Sequence, residues 1–290
     1  MSDKGTALIS GGLGFVGGSI ASLMSARGWR VVVLDNTERS SVAPADSPAQ
    51  VVIGDIGDRA CVEAALALAE PDVIIHCAAL TMIEEAEAQK EMYFSGNDMA
   101  NAAFLDSVLR HYLGRAQKPR IIYSATSGVY GEPKTDLLDE MSDIAPANLY
   151  SETKLLAEMQ IRALEEADLI EANVFRYFSV TGACEGVFER RPYDEHVVTR
   201  LLDCAERGRP FTLNGYDWPT VDGSAIRDFI SVRDVAEAHI AAANAMVHDG
   251  LTGQIYNLGT GVGTSILELV KIVSEVTGKE IEVVRAGRRA

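Results

Sequence analysis

The sequence predicts an α/β protein built on a doubly wound parallel sheet, with a smaller part toward the C-terminus. Three observations predict this fold class. Short apolar runs alternate with segments of helical periodicity over the first 178 residues, which is typical of parallel strands covered by helices on both faces. A glycine-rich turn follows the first apolar run, and the alternation weakens after residue 178. Right-handed crossovers then wind the sheet in two directions.

The predicted elements follow one another in a regular order. An apolar run at residues 6–10 precedes the glycine turn, and a helical pattern leads from the turn to a second strand at 31–34. The other strands are predicted at 50–53, 73–76, 120–123 and 170–178, and the helices between them at 59–69, 97–112 and 151–166. We therefore predict a nucleotide-binding domain at residues 1–178. A mainly substrate-binding part at 179–290 is expected to interleave with the end of the sheet.

The composition argues against several classes of partner. The net charge is −16, and Lys and Arg do not cluster before the last few residues, which argues against nucleic acid and against an anionic membrane surface. No apolar run approaches the length of a membrane span. The first strand begins within a few residues of Met1, so we predict no signal peptide and expect a cytoplasmic protein.

The cysteines and one histidine give no sign of a metal site. The cysteines are widely spaced, without a CxxC or Cys/His ligand pattern, and are typical of buried thiols in a reducing compartment; they are Cys61, Cys77, Cys184 and Cys204. His76 ends an apolar run and is predicted to be a core histidine with satisfied hydrogen bonds rather than a base.

The glycine turn has the context of a dinucleotide-binding site, because it lies between a strand and a helix and a second strand ends in an acid. Gly11 permits a tight turn, Gly14 lets the backbone approach a pyrophosphate, and Gly17 lets the helix pack on the strand. The N-terminus of the helix offers N–H groups and a positive dipole end to phosphate. Asp35 is expected to accept hydrogen bonds from the adenosine ribose, which favours NAD over its 2′-phosphorylated form.

Tyr150 and Lys154 are four residues apart, in a segment with helical periodicity. Residues at i and i+4 lie on one face of a helix, where the ammonium favours the ionised form of the phenol. A phenol with a lowered pKa is a general base that works near neutral pH. The pair therefore predicts an acid–base site beside the nucleotide.

With these motifs the chain resembles the extended short-chain dehydrogenase/reductases of the NAD-dependent epimerase/dehydratase family, and among them the UDP-glucose 4-epimerases. The GxxGxxG spacing is this family's form of the glycine turn. Residues 124–131 are similar to the segment that carries the catalytic Ser or Thr, and residues 176–178 to a segment beside the nicotinamide. Residues 217–230 are similar to the run whose arginine binds the UDP diphosphate.

The resemblance implies roles for residues along the whole chain. Catalysis is expected from Thr126, Tyr150 and Lys154. NAD is expected to contact Gly11, Gly14, Phe15, Val16, Gly17, Asp35, Asn36, Asp55, Ile56, Cys77, Ala78, Ala79, Asn97, Ser124, Tyr150, Lys154 and Tyr177. A UDP-sugar substrate is expected to contact Thr81, Thr126, Ser179, His196, Val197, Arg227 and Arg288.

The resemblance also implies an activity: an NAD-dependent Rossmann-fold enzyme that interconverts UDP-glucose and UDP-galactose, or a related UDP-hexose pair, through the 4-keto sugar. Homodimers formed through the helices at 97–112 and 151–166 are usual in the family.

Sugar-nucleotide dehydratases carry Asp-Glu directly after the catalytic threonine, where this chain has Ser127 and Gly128. UDP-glucuronate decarboxylases carry a glutamate at the position of Gly128. These acids are absent, which argues against both reactions.

Two other functions stay open: an NAD-dependent dehydrogenase of a sugar nucleotide or small hydroxy compound, and a catalytically weak NAD-binding regulator. The chain departs from the epimerase pattern on the sugar side at Thr81, Ser179 and Ser231. The preferred hexose pair, including N-acetyl and uronic acid forms, therefore stays open. Family members continue beyond the segment at which this sequence ends, so either the sequence stops short or its C-terminal cap is reduced.

Overall fold

The computed structural model describes residues 4–132, 135, 137–190 and 196–288. The chain forms two compact units, one of Met1–Arg190 with Ser231–Leu258 and one of Arg191–Ile230 with Gly259–Ala290. The chain thus returns to the first unit after leaving it. The sequence-based division at residue 178, with a second part that interleaves with the end of the sheet, stays a prediction.

In chain order the strands are β1 (Thr6–Ser10), β2 (Arg30–Asp35), β3 (Gln50–Ile53), β4 (Val73–His76), β5 (Arg120–Thr126), β6 (Glu171–Tyr177), β7 (Ser179–Thr181), β8 (Ala183–Cys184), β9 (Val187–Phe188), β10 (Phe211–Asn214), β11 (Ile226–Ser231), β12 (Gln254–Leu258), β13 (Gly263–Ser265) and β14 (Val283–Ala286). The α-helices are α1 (Phe15–Ala26), α2 (Arg59–Ala69), α3 (Ile83–Ala88), α4 (Lys90–Tyr93), α5 (Ala100–Tyr112), α6 (Leu149–Glu166), α7 (Val197–Arg207), α8 (Val232–Asn244) and α9 (Ile266–Thr277). Among the described residues, two π-helical turns, Phe94–Met99 and Ala245–Asp249, and two 3₁₀ turns, Pro44–Asp46 and Ser127–Tyr130, complete the helical segments.

The main sheet of the first unit has seven parallel strands in the order β12-β6-β5-β4-β1-β2-β3. This order winds outward from β1 in both directions, and the predicted doubly wound sheet is confirmed. The sequence analysis did not predict β12, which pairs with β6 although 76 residues separate Tyr177 from Gln254. In register, Ser10 lies opposite His76, and Thr126 lies opposite Tyr177. The carboxyl ends of the strands therefore share one edge.

Apolar side chains cover both faces of this sheet, as its continuous apolar strands require. Ile9 and Ile75 point into a core that includes residues of α1 and α8. Leu8 and Ile74 point into a second core, built with α2, α5 and α6. All four side chains are fully buried, so the strands are held from both sides and the loops at their carboxyl ends are supported by a rigid base.

The second unit has a separate core. In it β10 pairs with β14 in parallel, and β11 pairs with β13 in antiparallel fashion. The helices α7 and α9 pack on one another around Leu201, Phe211 and Leu269. Across both units, no helix in the described ranges combines the length and apolar character that a membrane span requires.

Candidate active site

The glycine turn connects β1 to α1 and needs glycine at two positions. Gly11 has φ of +68°, and a Cβ there would lie 2.7 Å from the backbone of Ala78. A Cβ on Gly17 would collide with the carbonyl oxygen of Gly11. Gly14 is the N-cap residue of α1, and no side chain of the described residues caps this helix. The first turn of α1 carries no acidic residue. The N–H groups at the start of α1 are thus suited to a pyrophosphate.

Asp35 lies at the carboxyl end of β2 and links the glycine turn after β1 to the loop after β2. Its Oδ2 accepts the N–H of Leu13 at 3.0 Å, and its Oδ1 accepts the N–H of Thr37 at 2.8 Å and the hydroxyl of Ser40 at 3.2 Å. An ionised carboxylate has about four lone-pair sites. These bonds leave capacity for a ribose hydroxyl, while they hold the carboxylate in place.

The segment after β3 lies beside this loop. Asn36 Nδ2 donates to Asp55 Oδ2 at 3.1 Å, and Asp55 Oδ1 accepts the N–H of Gly57 at 2.7 Å. Ile56 between them is buried. The structure therefore brings together the adenosine-side residues that the resemblance implies, all at the carboxyl edge of β1, β2 and β3.

The ends of β4, β5 and β6 carry a chain of hydrogen-bonding side chains. Cys77 Sγ lies 3.0 Å from Ser124 Oγ, Ser124 Oγ lies 2.7 Å from the Tyr177 hydroxyl, and this hydroxyl lies 2.8 Å from His239 Nε2. His239 Nδ1 lies 2.8 Å from the carbonyl oxygen of Val235. Burial lowers the pKa of His239 to about 4 and raises the pKa of the Cys77 thiol to about 11. These groups are therefore neutral near pH 7.

The sequence analysis did not identify His239, because it lies on α8, 62 residues from Tyr177. His76 is placed as predicted: it is a buried core histidine, stacked on Phe104 with ring centroids 4.5 Å apart. Its nitrogens contact Ser10 Oγ and Asn101 Oδ1 at 2.5 and 2.8 Å. Burial lowers the pKa of His76 to about 3, so the ring stays neutral.

Tyr150 and Lys154 lie in the first two turns of α6. Asn148 caps this helix by accepting the N–H of Ser151 at 2.9 Å. Lys154 is 3% exposed, and its Nζ lies 4.4 Å from the ring centroid of Tyr123. Burial lowers the pKa of Lys154 to about 8. The ammonium is thus largely charged at pH 7 and lies one helical turn from Tyr150.

One turn further along α6, Glu158 forms a buried ion pair with Arg176 of β6. Arg176 Nε and Nη2 donate to the two carboxylate oxygens at 3.1 and 2.5 Å, and both side chains are at most 3% exposed. Arg176 Nη1 also donates to the hydroxyl of Tyr130 at 2.9 Å. The negative charge of Glu158 raises the pKa of Lys154, against the larger effect of burial. This pair was not predicted.

Thr126 ends β5, and its Oγ1 accepts the N–H of Gly128 at 3.1 Å. A Cβ on Gly128 would collide with Ser151 Oγ and would lie 3.3 Å from Thr126 Oγ1. The turn after Thr126 therefore packs against the first turn of α6, which carries Tyr150.

Asn97 lies in a π-helical turn, a feature that is frequent at functional sites. Its Oδ1 accepts the N–H of Leu80 at 2.7 Å, and its Nδ2 donates to Leu80 O and to Thr153 Oγ1 at 2.9 and 3.1 Å. These bonds fix the loop that contains Ala79 and Thr81 onto α6. The predicted contact of Asn97 with NAD stays a prediction.

The remaining predicted substrate contacts belong to the second unit, except for Ser179, which begins β7 in the first. His196 is the N-cap residue of α7 and Val197 is its first residue. Arg227 is exposed on β11, and its Nη1 donates to the carbonyl oxygen of Ile226 at 2.8 Å.

Arg288, in the same unit, donates from Nε to Asp217 Oδ1 at 2.8 Å and lies 4.0 Å above the ring of Trp218. The structure thus gathers the predicted cofactor and catalytic residues in one unit. No described group of three or more His, Cys, Asp or Glu side chains is arranged to hold a metal ion.

A Rossmann sheet with this glycine turn, an acid at the end of β2 and a Tyr–Lys pair on α6 defines a dinucleotide-dependent enzyme of the short-chain dehydrogenase/reductase type. The chain belongs to the NAD-dependent epimerase/dehydratase family, whose model matches residues 7–259. The fold class, the family and NAD as the cofactor are therefore confirmed.

Three similar proteins illustrate the match. The UDP-glucose 4-epimerase of Corynebacterium glutamicum is 32% identical over 286 residues, which cover 98% of this chain and 84% of that protein. The crystal structure of UDP-glucose 4-epimerase from Brucella ovis in complex with NAD is 31% identical, with a TM-score of 0.89 over 98% of this chain and 86% of the other. The structure of the Bifidobacterium longum enzyme in complex with NAD⁺ and UDP is 28% identical, with a TM-score of 0.88 over 98% and 87%.

Proposed function

We propose that the protein is an NAD-dependent 4-epimerase that interconverts UDP-glucose and UDP-galactose through the 4-keto sugar. The observation that carries the proposal is the Tyr150–Lys154 pair on α6, in the same compact unit as a complete glycine turn. The relatives named above are UDP-glucose 4-epimerases, and they match this chain along nearly its whole length. This similarity supports UDP-glucose and UDP-galactose as the substrates. The absence of acids at Ser127 and Gly128 argues against a dehydratase or decarboxylase.

We assign to Tyr150 the role of the general base. The buried ammonium of Lys154 favours the phenolate, because an opposite charge within a few ångströms stabilises the ionised form. Lys154 itself keeps its proton near pH 7, since its pKa of about 8 lies above that pH. Tyr150 then takes the proton of the sugar 4-hydroxyl and returns it in the second half of the reaction. When bound, NAD would supply the hydride chemistry at C4 of the sugar.

Thr126 is assigned a positioning contact to the reacting sugar oxygen. Its Oγ1 accepts from Gly128 N–H, so the hydroxyl proton is directed elsewhere and is available to the substrate. The turn that it caps packs on α6 beside Tyr150. A hydroxyl held in this way orients a substrate oxygen, and orientation of this kind is a large part of enzymatic rate enhancement.

We assign Arg227 to binding of the UDP diphosphate, because this exposed residue lies in the segment that resembles the diphosphate-binding run. Planar guanidinium groups bind phosphate oxygens at two points. Arg288 is assigned a supporting contact. The side chain of this residue is already oriented by Asp217 and by the ring of Trp218.

We also propose that the protein is a cytoplasmic homodimer whose interface is formed by α5 and α6. Large apolar side chains are exposed on and next to these helices: Met99 is 67% exposed and Met159 is 57% exposed. Leu156, one turn before Met159 on α6, is also exposed. Contiguous apolar exposure on a folded protein marks an interaction surface. Sedimentation at several concentrations tests this part of the proposal.

The reaction type is tested with UDP-galactose in deuterated water. An epimerase returns the same hydride to the same carbon, so UDP-glucose should form without deuterium at C4, without added NAD and without accumulation of NADH. Stoichiometric NADH would identify a dehydrogenase, and deuterium at C5 or C6 would identify a dehydratase. Bound NAD without conversion of any UDP-hexose would refute the epimerase assignment.

A further inference from the structure

Arg39 and Glu85 form an ion pair that joins two segments of the first unit. Arg39 Nη1 donates to Glu85 Oε2 at 2.6 Å, and Nη2 donates to Oε1 at 2.7 Å. This two-point geometry is that of the strong guanidinium–carboxylate pairs. The two side chains are 33% and 25% exposed, so water screens the pair only in part.

The position of the pair relative to the sheet indicates its role. Arg39 lies in the loop after β2, and Glu85 lies on α3, which follows β4. In the sheet β2 and β4 are the two neighbours of β1. The pair therefore crosses the carboxyl end of β1, where the glycine turn begins. Ligands of open α/β sheets bind outside this edge, so the pair bridges the mouth of the cleft.

Glu85 is anchored on the core behind it. Its Oε2 accepts the hydroxyl of Tyr93 at 2.9 Å, and the oxygen of Tyr93 accepts the N–H of Met82 at 2.7 Å. Tyr93 is fully buried and packs in a small apolar cluster with Met82 and Leu149. Tyr150 packs against the same cluster. The carboxylate of Glu85 is thus held in place before Arg39 reaches it.

Arg39 is carried by a loop that is tied to the glycine turn. The N–H groups of Ser41 and Val42 both donate to the carbonyl oxygen of Leu13, at 2.7 and 3.0 Å. Ser40 Oγ donates to Asp35 at 3.2 Å. The loop therefore follows the glycine turn closely, and Arg39 extends from it across the cleft to Glu85.

We propose that Arg39 and Glu85 form a strap that retains NAD in its site between the two half-reactions. This inference rests on the proposed function, because an epimerase must return the hydride to the sugar from which it came. If the reduced cofactor left the site, the 4-keto sugar could not receive its hydride back. The strap slows that departure, since the ion pair must open before the loop and α3 can separate. Interactions of this kind change dissociation rates more than association rates.

The strap is tested by the rate of NAD release, measured without any sugar. The purified holoenzyme is mixed with excess labelled NAD, and exchange of the bound cofactor is followed. Arg39→Gln removes the charge and the two-point contact, and we expect release to accelerate roughly 5- to 30-fold. Glu85→Gln keeps a hydrogen-bonding partner for Tyr93 and should accelerate release in the same direction. The charge-swapped double variant R39E/E85R should restore slow release.

Arg115 and Glu70 provide a matched control. They form another two-point ion pair between loops, with distances of 2.5 and 3.3 Å, but these loops precede β4 and β5 and lie at the opposite edge of the sheet. Arg115→Gln should leave NAD release unchanged. The strap would be refuted if the Arg39→Gln variant released NAD at the same rate as the Arg115→Gln variant. It would also be refuted if the double variant R39E/E85R released NAD as fast as Arg39→Gln.

The outcome does not depend on the sugar substrate. A protein that retains NAD through the strap but converts no UDP-hexose would contradict the proposed function and leave the strap in place. An active epimerase in which Arg39→Gln releases NAD at the normal rate would contradict the strap alone. The two failures are therefore distinguishable.

Discussion

The buried ion pair of Glu158 and Arg176 allows a sharp test of how the active-site helix is held. Glu158→Gln removes one charge and leaves the buried side chain of Arg176, which is 3% exposed, without its counter-ion. Breaking a buried pair by removing one partner costs about 3–5 kcal/mol. Arg176 keeps its bond to Tyr130, which moderates the loss. We therefore expect the free energy of unfolding to fall by about 3 kcal/mol, toward the lower end of that range.

The assay is urea-induced unfolding of holoenzyme preparations at one NAD concentration, because a bound cofactor shifts apparent stability. Glu63→Gln is the control, since Glu63 forms an exposed pair with Arg59 at 2.6 Å and exposed pairs contribute about 0–1 kcal/mol. Replacing both buried partners, as E158L/R176M, should cost much less than Glu158→Gln because no uncompensated charge is left. A Glu158→Gln variant as stable as Glu63→Gln would refute the reasoning.

The same substitution carries a catalytic signature. The charge of Glu158 raises the pKa of Lys154, which burial lowers to about 8 from an ordinary value of 10.5. Without that charge the pKa falls further. The ammonium of Lys154 is present below its pKa and is lost as the pH rises through it, so the alkaline limb of the kcat profile should move to lower pH. If Glu158→Gln lowers the free energy of unfolding but does not move the alkaline limb of the kcat profile, Glu158 acts on folding alone.

Three further predictions concern individual site residues. Tyr150→Phe should keep NAD but lower kcat by about 10²- to 10⁴-fold, the usual contribution of a general base, and near-normal turnover would reject the assignment. Gly17→Ala should abolish NAD retention, because the added methyl group collides with the carbonyl oxygen of Gly11; the NAD content of the purified protein checks this. Arg227→Ala should weaken UDP binding by about 2–5 kcal/mol with NAD retained, and calorimetry with UDP that shows unchanged affinity would contradict the diphosphate role.

The local features of the site could be predicted from the sequence because their geometry is set over short distances along the chain. Tyr150 and Lys154 are one turn apart on any helix, and α6 begins only two residues before the predicted start at 151. Gly11 and Gly17 are required by the turn itself. The strands of the sheet were predicted from continuous apolar runs, with the exception of β12, which extends the sheet far from its neighbour in sequence.

The long-range contacts were decided by the tertiary structure alone. Glu158 contacts Arg176, Tyr177 contacts His239, and Arg39 contacts Glu85 only because the fold brings their distant segments together. In the sequence, the residues on either side of each of these side chains do not indicate which distant residue it will contact. Burial also changed their chemistry, since a side chain taken out of water keeps its charge only when a partner compensates for the lost hydration. The sequence by itself determined which chemistry the chain carries, and the packing of the sheet determined which groups hold that chemistry in place.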